Sequence, residues 1–131
     1  MIDELRFYRI APGSLDDYLQ HAGAVAVPFR GHRYGRLLGF WYSEIGEANA
    51  VYNLWQHTDL NSREALRADL SQQDTWRNEY LPHSQPLMRQ QFVRLMNPVV
   101  AFRAPEAGPN LYEIRIWRTR AGKSREIAAR L

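Results

Sequence analysis

The sequence contains no cysteine and only one lysine, Lys123. The absence of cysteine excludes disulfide bonds and thiolate metal sites, although it leaves the redox compartment open. No apolar run approaches the ~20 residues that a membrane-spanning helix requires. The first four residues, Met1–Glu4, carry two acids rather than the basic start and apolar run of a signal peptide. We therefore expect a cytoplasmic location and no membrane partner.

Several motifs that identify enzyme classes are also missing. The glycines form no dinucleotide-binding or phosphate-binding loop, and no serine lies in a nucleophile elbow. The four histidines are scattered without the spacing of a metal-binding pair. We expect no metal and no cofactor, with haem ligation by His83 as the alternative.

Positive charge is concentrated at one end of the chain. The net charge is +3, and residues 111–131 carry six cations against two acids, so the remainder sums to −1. A body this close to neutral has no electrostatic attraction for nucleic acid, and we expect no such partner.

The end of the sequence repeats its beginning. Residues 4–9 and 113–118 share one glutamate and two arginines in register, with conservative apolar matches between them. Self-similarity of this kind indicates one supersecondary unit used twice. We predict a complete unit over 1–97, a linker over 98–110, and a partial second repeat over 111–131 that contains a strand and the start of a helix.

The periodicity within 1–97 predicts the order β-α-β-β-α-β. Proline is expected to end both helices, at Pro28 and Pro82, Asn61 is expected to cap the second helix, and a short turn at Gly46 joins the middle strands. This order is typical of an α+β, ferredoxin-like unit, in which two helices cover one face of a four-stranded antiparallel sheet.

The other face of such a sheet must also be covered. We place Arg6, Tyr8, Trp117 and either Trp41 or Trp55 on that face. Large aromatic residues exposed on a sheet indicate association. A second sheet packed on the first would enclose a barrel, so we expect a homodimer that forms through the sheet face.

Several motifs in the sequence resemble the NIPSNAP family over residues 3–97, and the resemblance restarts at 111. The matching segments are Leu5–Tyr8 followed by Pro12–Gly13, Gly39–Trp41 leading into Ser43–Gly46, then Asn49, Leu54–Trp55, and Asp74 with Trp76. The resemblance implies a ferredoxin-like unit of the dimeric α/β-barrel superfamily, often present twice in tandem, without one shared reaction.

Related barrels include cofactor-free monooxygenases, lactone isomerases and haem-binding enzymes, which is a likeness of fold only. The chain departs from the family pattern at two positions of one strand. Asn53 stands where the family often has histidine, and His57 stands where it often has tyrosine or phenylalanine.

The strongest candidate site lies on the strand that carries Asn53, Trp55 and His57. These residues alternate and therefore share a face. Trp55 could stack on an aromatic ligand, Asn53 could orient a carbonyl, and His57 could transfer a proton near neutral pH. The alternative is that Trp55 is part of the core and His57 lies in solvent. Trp41 and Trp76 complete the candidate set.

Three further groups have structural and functional alternatives. Glu4 and Arg6 form either an acid–base pair or a structural ion pair at a sheet–sheet contact. Glu44 and Asn49 either line a pocket mouth or fix the turn. The basic stretch 30–36 either grips an anion or offsets the dipole of the preceding helix.

These observations predict a protein that binds a small apolar or aromatic molecule between its sheet and helices. One alternative is a cofactor-independent monooxygenase or isomerase, for which His57 is the best catalytic candidate. The other is a non-catalytic protein-interaction module.

Overall fold

A computed structural model describes residues 1–130. It divides into two compact units, of which the first is Met1–Asn97 and the second begins at Pro98. No helix among the described residues is both long and apolar enough to cross a lipid bilayer.

The first unit is built on an antiparallel sheet of four strands. They are β1 (Ile2–Ile10), β2 (Arg36–Tyr42), β3 (Ala50–His57) and β4 (Met88–Met96). Their order across the sheet is β2-β3-β1-β4, so β1 lies in the interior between β3 and β4. The predicted order of elements and the ferredoxin-like α+β fold are confirmed.

The first helical region connects β1 to β2. It comprises α1 (Leu15–His21), a π-helical segment (Ala22–Ala26) and α2 (Val27–Arg30). The prediction that Pro28 ends this helix is wrong. Pro28 lies in the first turn of α2, directly after the π-helical segment, where the missing N–H of proline is tolerated.

The second helical region connects β3 to β4. It comprises α3 (Leu60–Gln72), a π-helical segment (Thr75–Tyr80), α4 (Leu81–Ser84) and a 3₁₀ turn (Gln85–Leu87). The helix breaks at Gln73 and restarts. Pro82 does not end it, because Pro82 occupies the first turn of α4, as Pro28 does in α2.

Two local predictions in this unit are wrong for simple geometric reasons. The cap of α3 is Asp59, whose carboxylate accepts a 2.7 Å hydrogen bond from the backbone N–H of Ser62, rather than Asn61. The connection between β2 and β3 spans 43–49 instead of a two-residue turn, because pairing stops at Tyr42.

The helix face of the sheet, defined as the side on which both helical regions pack, carries the main core. Tyr8 and Ile10 of β1 pack there against Tyr18 of α1. Arg6 shares this side because alternate residues of a strand face the same way. The prediction that Arg6 and Tyr8 lie on the opposite side is therefore wrong, and of the two tryptophan alternatives Trp55 lies on the helix face.

The open face, defined as the opposite side of the sheet, is aromatic at its centre. The ring of Phe7 lies 5.1 Å from that of Tyr52 and 5.7 Å from that of Phe92, between centroids. Trp41 is directly opposite Tyr52 in the β2–β3 ladder and so lies on this face too. Phe92 is 50% exposed. The open face therefore presents apolar surface to whatever lies next to it.

The second unit has little regular structure among its described residues. Between 98 and 123 there is no helix or strand, and α5 covers Ser124–Ala128. Glu113 accepts two 2.8 Å hydrogen bonds from Arg115. The predicted strand of the second repeat is not formed, because a strand needs a neighbour to pair with its backbone groups.

Candidate functional site

A cavity of about 260 Å³ lies between the helix face of the sheet and the two helical regions. It is small by comparison with the ~300–1,000 Å³ of most ligand sites, which suits a molecule of one or two rings. The sheet contributes Asn53 and Trp55, α2 contributes Arg30, and the second helical region contributes Arg67 and Trp76.

Two of the sequence-predicted residues, Asn53 and Trp55, line this cavity side by side on β3. The indole N–H of Trp55 donates a 2.8 Å hydrogen bond to the side-chain oxygen of Asn53, which fixes the orientation of both groups. The guanidinium of Arg30 lies 3.5 Å from the centre of the Trp55 ring. The ring face of Trp55 is therefore already occupied by a cation.

Trp76 also lines the cavity, from the π-helical segment after α3. Its ring packs 4.5 Å from that of Tyr80, between centroids, and Arg30 lies 5.6 Å from the Trp76 ring. Trp41 lies on the open face and does not reach the cavity. The structure thus brings together three of the five predicted residues, namely Asn53, Trp55 and Trp76.

His57 is buried on the helix face, beyond the cavity wall rather than in it. Its ring packs against Gly35, and its Nε2 lies 3.8 Å from the carboxylate of Glu4. Burial lowers the pKa of His57, although the nearby Glu4 charge opposes that shift. The neutral imidazole is thus favoured near neutral pH, in contact with protein groups instead of the cavity.

Glu4 is the acidic centre of a buried charge cluster. Its carboxylate accepts a 2.5 Å hydrogen bond from Arg6 and a second hydrogen bond from Arg63. Burial alone would raise the pKa of Glu4, but the hydrogen bonds from Arg6 and Arg63 lower it overall. The predicted Glu4–Arg6 ion pair is present. It lies on the helix face of the sheet, however, and not on the open face that a second sheet would cover.

Two tyrosine hydroxyls face each other at the helical side of the cavity. The hydroxyls of Tyr18 and Tyr80 lie 3.3 Å apart, and burial raises the pKa of both phenols. Both therefore stay protonated near neutral pH. They can act there as hydrogen-bond donors or acceptors for a ligand, whereas neither is suited to act as a base.

Of the three arginines that line the cavity, only Arg67 was absent from the sequence candidates, since Arg6 was considered with Glu4 and Arg30 with the basic stretch 30–36. Charged residues are assigned to solvent by default, and Arg30 was seen only as part of a basic loop. For Arg67 a signal was present. Arg67, Leu70 and Ser71 follow the i, i+3, i+4 spacing of one helix stripe, and all three line the cavity.

The remaining sequence candidates lie elsewhere in the first unit. Glu44 is exposed, and Asn49 adopts a positive φ of 53° while its backbone oxygen accepts a 2.8 Å bond from the N–H of Ile10. The positive φ is compatible with a turn position, and the bond to Ile10 ties the segment to β1 through the backbone, so the choice between the two alternatives stays a prediction. His83 lies at the surface, 2.8 Å from Asp17 and stacked 4.0 Å from the ring of His21.

Comparisons with known proteins agree on the family. The NIPSNAP family model matches residues 3–102. The chain is 34% identical to NipSnap homolog 2 of Danio rerio over 98 residues, which is 75% of this chain and 33% of that protein. It is 32% identical to NipSnap homolog 2 of Homo sapiens, over 75% of this chain and 33% of that protein. The chain thus spans about a third of the length of these relatives.

Solved structures resemble the chain over a similar region. A NIPSNAP-like domain protein from Burkholderia xenovorans superposes with a TM-score of 0.71 at 31% identity, covering 86% of this chain and 94% of that one. A protein from Agrobacterium tumefaciens superposes with a TM-score of 0.71 at 28% identity, covering 75% of this chain and 93% of that one. An antibiotic biosynthesis monooxygenase superposes with a TM-score of 0.55 at 16% identity, covering 76% of this chain and 100% of that one. At this identity the likeness is one of fold alone.

Proposed function

This chain belongs to the NIPSNAP family, and we propose that its first unit binds a small aromatic molecule in the cavity between sheet and helices. The observation that carries the proposal is the cavity wall itself. Trp76 and Tyr80 offer aromatic surface, while Asn53 and the Tyr18 hydroxyl add hydrogen-bonding groups. Apolar walls with a few polar groups are the usual composition of small-molecule sites.

Binding without catalysis is the function that this geometry favours. Among the described residues that line the cavity there is no histidine, aspartate or glutamate. The ionisable groups there are arginines and tyrosines, and burial raises the pKa of Tyr18 and Tyr80 further from neutrality. A cofactor-independent monooxygenase or isomerase remains the alternative, and it would require His57 to reach the cavity by a rearrangement.

The test is a titration with 2-naphthol, 2-naphthamide and 2-naphthoate, monitored by calorimetry and by the melting temperature. At least one compound should bind and raise the melting temperature, because a ligand that binds only the folded state stabilises it. Replacing Trp76 with alanine should weaken that binding about tenfold or more, since an aromatic contact of ~0.5–1.5 kcal/mol and its buried area are lost.

Trp41→Ala is the matched control, because it removes an indole from the open face without touching the cavity wall. It should leave the affinity unchanged. If none of the three compounds binds the wild-type protein, or if both tryptophan variants weaken binding equally, the proposal fails.

We also propose that the protein forms a homodimer through its open face. Support comes from the aromatic cluster of Phe7, Tyr52 and Phe92, whose outer member is half exposed. An apolar patch of this kind on a sheet is typical of an association surface. The second sheet would then come from another copy of the chain.

Phe92→Asp should therefore halve the mass measured by light scattering, because a carboxylate buried in an apolar interface would be desolvated without a partner. Val93→Asp is the matched control. Val93 is the next residue of β4, is similarly exposed, and points to the opposite side of the sheet. A wild-type protein that is monomeric, or two variants that behave alike, would contradict the homodimer.

A protein-interaction role is the second candidate function, and one feature of the second unit supports it. Leu111, Ile116 and Trp117 are large apolar side chains that are more than half exposed. Apolar residues in a segment without its own sheet are suited to pairing with a partner's strand edge. Limited proteolysis after Asn97 should then release a partner while leaving the cavity of the first unit intact.

A further inference from the structure

The arginines that line the cavity carry more positive charge than the adjacent buried acid neutralises. Three of its lining residues are arginines, namely Arg6, Arg30 and Arg67. The adjacent buried acid, Glu4, is already shared between Arg6 and Arg63. Among residues 1–130, no carboxylate lies within ion-pair distance of Arg30 or Arg67. Two cations at the cavity therefore have no carboxylate in direct contact within the described chain.

Arg30 is the more unusual of the two because it is only 6% exposed. Its Nη2 donates a 3.0 Å hydrogen bond to the backbone oxygen of Tyr34, while its Nε has no partner and is buried. Burial lowers the pKa of Arg30 to about 10, which still leaves the guanidinium charged at neutral pH. A buried cation with an unsatisfied N–H is costly unless an anion reaches it.

The surroundings hold this guanidinium in a fixed position. Its face packs on the Trp55 ring, and that indole is itself held by Asn53. The remaining N–H groups of a stacked guanidinium point outward in its plane, which is the geometry that carboxylates match with two hydrogen bonds. The Trp76 ring, 5.6 Å from Arg30, offers a surface for an apolar body attached to that carboxylate.

We propose that the ligand of this cavity is an aromatic carboxylate, with its anionic group on Arg30 and Arg67 and its ring against Trp76. The inference rests on the proposed function and adds the charge of the ligand to it. Arg30 is the last residue of α2, where the backbone carbonyls carry partial negative charge. That field favours a singly charged carboxylate over a doubly charged phosphate ester.

The test compares ligands that have the same shape and differ in charge. Calorimetry on the full chain should give an affinity for 2-naphthoate at least about tenfold higher than for neutral 2-naphthamide, since hydrogen bonds to charged groups are the stronger ones. Arg30→Met should reduce this ratio to near one. Arg67→Met, at a partly exposed site, should reduce the ratio in the same direction.

Arg33→Met is the matched control. Arg33 lies in the same basic stretch, is exposed, and does not line the cavity, so its loss should leave the ratio unchanged. Circular dichroism establishes that each variant is folded. If Arg30→Met does not fold, the anion site is tested by the ratio of the 2-naphthoate and 2-naphthamide affinities in the wild-type protein and in Arg67→Met.

The outcomes separate the two proposals. Equal binding of 2-naphthoate and 2-naphthamide, or a ratio that neither cavity arginine variant changes, would overturn the anion site while aromatic binding stands. Tighter binding of 2-naphthyl phosphate than of 2-naphthoate would overturn the choice of a carboxylate. Failure of every compound to bind would overturn the proposed function itself.

Discussion

Replacing Glu4 with glutamine should destabilise the first unit by about 3–5 kcal/mol, because removing one partner of a buried ion pair leaves the other charges uncompensated. Glu4 is only 1% exposed and accepts hydrogen bonds from both Arg6 and Arg63. Glutamine keeps the shape and one acceptor oxygen but removes the charge. The loss is a large fraction of the ~5–15 kcal/mol that stabilises an ordinary domain.

The measurement is the free energy of unfolding in urea, with Glu47→Gln as the matched control. Glu47 also pairs with an arginine, Arg9, but both side chains are about half exposed. Exposed pairs contribute only ~0–1 kcal/mol, so the control should change little. Equal losses of unfolding free energy in the two variants would show that burial does not determine how much the Glu4 cluster stabilises the protein.

The same cluster should make the folded protein less stable at acidic pH. The folded pKa of Glu4 is lowered by the hydrogen bonds that outweigh its burial, so its contribution is present above the ordinary value of 4.5 and is lost as pH falls below it. Burial also lowers the folded pKa of His57, so stability falls as pH drops below 6.5. The Glu4→Gln variant should lack the loss near pH 4.5.

Replacing Gly35 with alanine should cost about 2–4 kcal/mol through two effects. Gly35 has a φ of +101°, where an L-residue is strained by ~1–2 kcal/mol. A Cβ there would lie 2.6 Å from Cε1 of His57, whose ring is buried and has little room to move. Overpacking of this kind adds ~1–3 kcal/mol.

Gly46→Ala is the control that separates the two effects. Gly46 has nearly the same φ, +104°, but a Cβ at that position meets no atom within 4 Å. It should therefore show the backbone cost alone in thermal or urea unfolding. Identical losses at the two glycines would mean that the contact with His57 contributes nothing.

The order of the elements followed from the sequence, whereas the direction in which the central strand faces did not. Alternation in β1 identifies which residues share a side, but it does not reveal which side the helices cover. Leu5 and Phe7 look like core, and Glu4 and Arg6 look like surface. In the structure the helices cover the polar side, because Glu4, Arg6 and Tyr8 satisfy one another there.

Only part of the candidate site could be predicted from the sequence. Asn53 and Trp55 could be paired because β3 is regular from end to end. Trp41 was grouped with the cavity residues, but its pairing with Tyr52 agrees instead with the alternative that placed it on the uncovered face of the sheet. Arg30 could not be assigned to the interior from sequence alone, since burial of a cation depends on neighbours that only the fold brings together, whereas the helix stripe of Arg67 was readable.

The π-helical segment Ala22–Ala26 has an evolutionary consequence. Such a segment corresponds to one residue inserted into an α-helix, and each residue of a helix turns the chain by about 100°. A homologue that has lost that insertion would rotate every later position of the helix, so the residue aligned with Arg30 would no longer face Trp55. Gapped alignment across this segment therefore separates lineages that can present the same cation from those that cannot.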